Sequence, residues 1–215
     1  MDMNEISGTA PPAEAEKSAR VLMNEVTHRM KNNMQMLQSL LGVAGREASI
    51  PEASEILADV ARRVAAMSAA QDSLYSADAT SFEVRGLLEP LVRTANQGFG
   101  RKADIRVEAA DGTLSNDAAI PLALIVNELV TNAVRHARGE RGHVSIRITL
   151  VREEKEWVLE IADDGPGFTM GQPQKRASGL GLVIALARQL GGTLNVVTDR
   201  GARCVVRFGG PRTGR

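Results

Sequence analysis

Between residues 20 and 48, apolar side chains return every three or four positions, at Leu22, Val26, Met30, Met34, Leu37, Leu41 and Ala44. That spacing puts them on one side of an amphipathic helix. Pro51 breaks the run, and the period resumes over 51–75 through Ile56, Val60, Val64, Met67, Gln71 and Leu74. Pro51 and Glu52 suit a first helical turn, where a proline gives up no intrahelical hydrogen bond and an acidic side chain complements the helix dipole. The two helices form a hairpin. Alone it leaves part of its apolar seam uncovered, so pairing with a second copy into a four-helix bundle is the economical way to bury it.

Past SADATSFEV, which begins at Ser76 and reads as a short linker entering a strand, the periodicity changes. Helices are expected over 85–99, 121–137 and 180–190, and strands over 104–108, 143–152, 156–162, 193–198 and 202–208. A mixed sheet with helices on one face follows. The fold class is α+β: a helical hairpin forming a dimeric four-helix bundle, then an α/β sandwich. The chain divides into a flexible leader over 1–19, the hairpin over 20–78 and the second domain over 79–211. The leader, rich in Pro, Ala, Glu and Ser, lacks the basic start and apolar stretch of a signal peptide. The most apolar run, AAIPLALIV from Ala118, falls short of the roughly 20 residues a bilayer requires. A cytoplasmic chain with no membrane insertion is expected.

Composition narrows the choices further. Lys plus Arg equals Asp plus Glu at 26 each, and aromatic residues make up 3%, so there is neither a basic field nor a set of stacking platforms for nucleic acid. Cys204, the single cysteine, excludes an intramolecular disulfide, and no Cys/His tetrad suggests structural zinc. Trp157 and Cys204 fall in expected strands and read as core, while Met30, Met34 and Met67 read as filling of the bundle seam.

Four segments carry chemistry. HRMKNNMQMLQSLLG places His28 off the apolar seam, on an accessible face of the first helix. Arg29 and Lys31 lie beside it and, as cations, disfavour protonation of the ring; a neutral imidazole is the nucleophilic form. Glu25, one turn earlier, is placed to orient one ring N–H, and Asn32, one turn later, to hold a water or a phosphoryl oxygen. NELVTNAVRHA puts Glu128, Asn132 and Arg135 or His136 along one side of a helix. An Asn132 carbonyl together with ATP phosphates suits Mg²⁺, Glu128 can touch the metal's water shell or act as a base, and Arg135 and His136 can offer positive charge or donors to phosphate. DDGPGF begins where an apolar strand ends. A buried Asp163 carboxylate there can accept the amino group of adenine, and Gly165 and Gly167 permit a tight turn. In SGLGLVIALARQLGG, Gly179 and Gly181 open a helix whose free N–H groups favour anions. Between the glycine segments, TMGQPQKRAS carries Lys175 and Arg176 and reads as a mobile lid able to reach a γ-phosphate. Each segment alone has an ordinary explanation as a wet helix face, a plain turn or a helix cap; their order gives them weight.

HRMKN resembles the H-box of the bacterial two-component histidine kinases, in the variant subfamily whose acceptor histidine is followed by Arg. The other three segments resemble the N, G1 and G2 boxes of the ATPase fold shared by histidine kinases, type II topoisomerases, mismatch-repair proteins and a chaperone family. The resemblance implies autophosphorylation of His28 from Mg²⁺-ATP and homodimerisation through the hairpin. It further implies phosphoryl transfer to an aspartate on the receiver domain of a separate response regulator. By the same resemblance adenine hangs on Asp163, Mg²⁺ on Asn132, and Asn32 occupies a place linked to phosphatase activity. Two departures stand out: Arg29 replaces the usual acidic candidate base, which leaves that role to Glu25, and Gly201-Ala202 replaces a common Gly-Thr. A histidine phosphotransferase or a response-regulator phosphatase would use the same architecture. A serine kinase or an ATP-driven conformational machine would not need the exposed histidine.

Overall fold

The structure is a computed structural model that describes residues 13–75, 80–136, 142–167, 179–198 and 201–209. Helix α1 spans Ala13–Glu47 and α2 spans Pro51–Tyr75. At 35 residues, α1 is about 52 Å long on the usual rise of 1.5 Å per residue. It starts inside the segment expected to be a leader. The stretch AEAEKSAR consists largely of good helix formers with no apolar period, so propensity extends the helix where pattern gave no signal. The turn between the helices is held by the Ser54 hydroxyl, which donates to the Gly45 carbonyl at 2.8 Å.

The second unit opens with β1 (Ser81–Glu83), α3 (Val84–Phe99) and β2 (Ala103–Ala109). It continues with β3 (Thr113–Ser115), α4 (Ala119–His136), β4 (Val144–Glu153) and β5 (Glu156–Asp163). Helix α5 (Gly179–Gln189), β6 (Thr193–Thr198) and β7 (Ala202–Phe208) complete it. Five strands form a mixed sheet in the order β2-β4-β5-β7-β6. Strands β2 and β4 are parallel and the remaining pairs antiparallel. A parallel pair needs a long crossover, and α4 lies in it. Strand β1 pairs with β3 as a separate two-stranded ribbon that seats Phe82 and Leu114 in the core. Strand β3 is three residues long, too short for alternation to reveal.

Strand β4 alternates between buried Val144, Ile146, Ile148 and Leu150 and wet Ser145 and Arg147, so one sheet face meets the helices and the other is polar. Helix α4 lies at the centre and is apolar nearly all round. The stretch Asn116–His136 is apolar enough to cross a membrane by composition, yet 78% of its apolar window is buried inside the domain, which makes it a core helix. Trp157 and Cys204 are core residues, as expected.

The hairpin does not stand apart from the sheet domain. Ala66 and Ala70 of α2 are buried in the same core as α3 and α4. The other side of the hairpin is bare. Met36 is 63% exposed, Leu40 59% and Ile56 54%, with Val26, Leu37 and Val60 exposed beside them.

Candidate functional site

Asp163 is the last residue of β5, the middle strand of the sheet, and lines a cavity with residues of α4 and the start of α5. Asp163 Oδ1 accepts hydrogen bonds from the Gly165 N–H at 3.0 Å and the Ala202 N–H at 3.2 Å. Both described bonds go to one oxygen. Burial raises the carboxyl above its ordinary 3.8, and the two backbone donors and the neighbouring Asp164 modify that rise in opposite directions. Gly201, at φ 132°, lies against the Asp163 carbonyl oxygen, and any Cβ there would collide with it. The next aspartate acts on the backbone instead. Asp164 Oδ1 accepts the Ser145 N–H at 2.9 Å and ties the end of β5 to β4.

A cavity of about 240 Å³ opens beside Asp163. Leu129, Asn132, Ala133 and His136 of α4 form one wall, Ile161, Ala202 and Cys204 of the sheet another, and Gly167 and Leu180 complete it. Positions far apart in the chain therefore converge on one concavity, which takes in Asn132, His136, Asp163 and Gly167 of the expected site residues. Burial pushes the Cys204 thiol up to about 11, with the Asp163 charge adding to the rise. Gly179, the first residue of α5, abuts α4 so closely that a Cβ would stand 2.5 Å from Glu128 Oε2 and 3.6 Å from Asn132 Nδ2. The free N–H groups of that helix start thus sit next to Asn132 and Glu128. Gly165 is buried behind the turn, while Gly181 is exposed with open space around it.

Glu128 is buried, and its carboxylate is gripped from the hairpin. Arg63 of α2 donates through Nε to Oε1 at 2.9 Å and through Nη2 to Oε2 at 2.8 Å, and Asn127 Nδ2 donates to Oε1 at 3.1 Å. Hydrogen bonding to Glu128, together with its charge, raises the Arg63 guanidinium further above its ordinary range. Neither Arg63 nor Asn127 is legible as a site residue in sequence, since an arginine on a charged helix face is commonplace.

Arg135 departs from its expected place. His136 lines the cavity at Asp163 and Arg135 does not. Arg135 instead pairs with Asp59 of α2, which also pairs with Arg62, and it faces away from the cavity at Asp163. Lys175 and Arg176 lie outside the described residues.

On the hairpin, Glu25 and Asn32 are exposed on α1, on either side of position 28. Glu25 Oε1 accepts from Arg29 Nε at 2.9 Å, and Lys31 Nζ donates to Asp72 Oδ1 of α2 at 3.0 Å. Arg29 and Lys31 therefore do not act as bare cations beside His28, whose side chain is outside the described set, and Glu25 is engaged elsewhere. Both pairs are solvent-exposed and worth no more than about 1 kcal/mol each, so they exchange readily.

A helical hairpin joined to a pocket of this kind is the layout that the resemblance to the histidine kinases implies. A family model for histidine kinases matches residues 25–98, and one for histidine kinase-, DNA gyrase B- and HSP90-like ATPases matches 117–212. The sensor histidine kinase PdtaS of Mycobacterium tuberculosis is 28% identical over 204 residues, covering 90% of this chain and 40% of that protein. A blue-light-activated histidine kinase of Brucella anthropi is 29% identical over 179 residues, covering 81% of this chain and 35% of its own length. Among solved structures, the blue-light activated histidine kinase of Erythrobacter litoralis EL346 matches with a TM-score of 0.67 at 22% identity, over 96% of this chain and 63% of that one. The chain belongs to the two-component histidine kinases, with a gyrase- and HSP90-like ATP-binding fold as its second unit. It spans about two fifths of the length of PdtaS.

Proposed function

We propose that the chain binds Mg²⁺-ATP at the Asp163 cavity, transfers the γ-phosphoryl group to His28, and passes it on to an aspartate of a response-regulator receiver domain in the cytoplasm. The observation that carries this reading is the convergence of Asn132, His136, Asp163, Gly167 and Leu180 around one cavity beside the start of α5. At about 240 Å³ the cavity is smaller than the roughly 300–1,000 Å³ of sites that enclose a whole drug-sized ligand. It therefore holds the adenine, and the phosphates run out along the N-terminus of α5. Asp163 Oδ2 accepts the adenine amino group. Among the described residues no group of three His, Cys, Asp or Glu could cage a metal, which suits Mg²⁺, an ion usually held by one or two protein ligands plus phosphates. Asn132 would hold it, with Glu128 at the water shell. There it would neutralise charge on the transferring group.

In the transfer, one imidazole nitrogen of His28 bonds to the γ-phosphorus while the bond to the β,γ-bridging oxygen breaks, and ADP leaves with that electron pair. Glu25 takes part as the base only by releasing Arg29, at the small cost of an exposed pair. Asn32 is open to solvent, where it can orient a water for hydrolysis of a phosphorylated regulator. A second copy covers the apolar face around Leu37, Leu40 and Ile56, giving the four-helix bundle. Leu40→Glu then yields a monomer by light scattering; an unchanged molar mass refutes that part.

Incubation with γ-labelled ATP and Mg²⁺ tests the whole. Acid-labile, alkali-stable label is expected on the wild type and lost in both His28→Ala and Asn132→Ala. Undiminished label on His28→Ala overturns the acceptor assignment. Labelling of His28 by a phosphorylated regulator but not by ATP would make the chain a phosphotransferase.

A further inference from the structure

Helix α2 docks on α4 through two charge pairs of opposite sense. Arg63 of the hairpin holds Glu128, and Asp59, a turn earlier on α2, holds Arg135, about two turns later on α4. The two helices therefore run antiparallel where they meet. Ala66 and Ala70, buried in the common core, continue the same stripe of α2. This contact also fixes the height of the nucleotide site along the hairpin. Lys31 bonds to Asp72 and Gly45 lies against Leu57, so Arg63 stands level with Ser39 and Leu40 of α1. Position 28 is then roughly 17 Å farther along α1, at 1.5 Å per residue. Asn132 lies a turn from Glu128 toward Arg135, hence farther still from position 28. Gly179 abuts Glu128, so phosphates at the start of α5 reach the level of Arg63 and stop well short of His28. In-line attack needs the reacting atoms within about 3–3.5 Å. A second copy related by a two-fold along the bundle axis carries its own position 28 at the same height, so the gap is not closed from the partner either.

We propose that the docked arrangement is an autoinhibited state, latched by Arg63–Glu128 and Asp59–Arg135, and that Mg²⁺-ATP loosens the latch by competing with Arg63 for Glu128. The proposal rests on the assignment of His28 and of the Asp163 cavity made above. Arg63 engages both carboxylate oxygens of Glu128, and Asn127 donates to one of them as well. The water shell of a magnesium ion on Asn132 would draw on those same two oxygens. When Glu128 turns to that shell, Arg63 loses its partner and one of the two pairs holding the hairpin is gone. Arg63 is partly exposed and is readily solvated on release. The nucleotide then favours the undocked state by its difference in affinity for the two arrangements.

Small-angle X-ray scattering of the full chain, paired with labelling from γ-labelled ATP, tests the latch. Asp59→Arg breaks one pair at a residue outside the nucleotide cavity. Its radius of gyration without nucleotide should exceed that of the wild type, and its initial rate of autophosphorylation should rise about fivefold, the scale of one partly exposed pair. Adding Arg135→Asp reverses both charges and should return both readouts to wild-type values. Mg²⁺ with a non-hydrolysable ATP analogue should expand the wild type, and the analogue without Mg²⁺ should not. Where circular dichroism shows Asp59→Arg unfolded, Arg63→Gln carries the same test through the other pair. A wild type that does not label at all would defeat the kinase assignment, and the scattering would then decide the latch alone. Unchanged dimensions in the single variants, a rate at or below that of a labelling wild type, or no restoration by Arg135→Asp would each overturn the proposal.

Discussion

Asp163→Asn separates the adenine-binding reading from a merely structural turn. Asparagine is nearly isosteric, and its carbonyl oxygen can still accept the Gly165 and Ala202 N–H bonds that Oδ1 accepts now. Those two donors fix the amide's orientation, because the reverse placement would set NH₂ against two N–H groups. The NH₂ group must then face the ligand, where it opposes the amino group of adenine. One charge-assisted hydrogen bond is lost, at about 1.5–3 kcal/mol, and a donor is left unpaired, at about 1–3 kcal/mol. Asp163 is only about half-buried, so the lower end of each range applies, roughly 2.5 kcal/mol together, or about 70-fold in dissociation constant. Guanine presents a carbonyl at the corresponding position, so the variant should bind GTP no more weakly than the wild type does. Calorimetric titration with non-hydrolysable ATP and GTP analogues reads both affinities, with circular dichroism as the control for folding. A loss of ATP affinity below about fivefold, or an equal loss for both nucleotides, would refute the direct contact.

Three further outcomes follow from the electrostatics. Since burial raises the Asp163 carboxyl, its stabilising effect is fully present below its unfolded value near 3.8 and is lost as pH rises through the folded value. Urea unfolding should therefore show Asp163→Asn gaining on the wild type between pH 3 and pH 7; a pH-independent difference would contradict it. Arg63→Ala strips the buried Glu128 of its bidentate partner. Breaking a buried pair costs about 3–5 kcal/mol and an exposed one under 1, so with Arg63 partly exposed the loss should be about 2 kcal/mol by denaturant unfolding. A change under 0.5 kcal/mol would mean that Glu128 is solvated without the hairpin. With its thiol raised from 9.0 to about 11, Cys204 should react with iodoacetamide at pH 8 about a hundredfold more slowly than an unperturbed thiol, and more slowly still with ATP bound. Labelling at the ordinary rate, or no protection by ATP, would place it away from the base.

By itself the sequence determined the parts whose signal is local. Period 3.6 over 20–75 marked the hairpin, alternation marked the long strands, and glycine and aspartate at strand and helix ends marked Asp163 and Gly179. Such features survive in one dimension because backbone geometry repeats along the chain. The short strand β3 and the first turns of α1 left no periodic trace. Only the tertiary structure decided which charges meet across units. Arg63 and Glu128 stand 65 positions apart, and Arg135 and Asp59 stand 76 apart, each on a helix face where a charge would ordinarily be solvated. Glu25, Arg29 and Lys31 likewise changed meaning once their partners were known. A side chain's charge is written in the sequence, but its field and its availability depend on what the packing sets within a few ångströms of it, and that distance is fixed only when the helices dock.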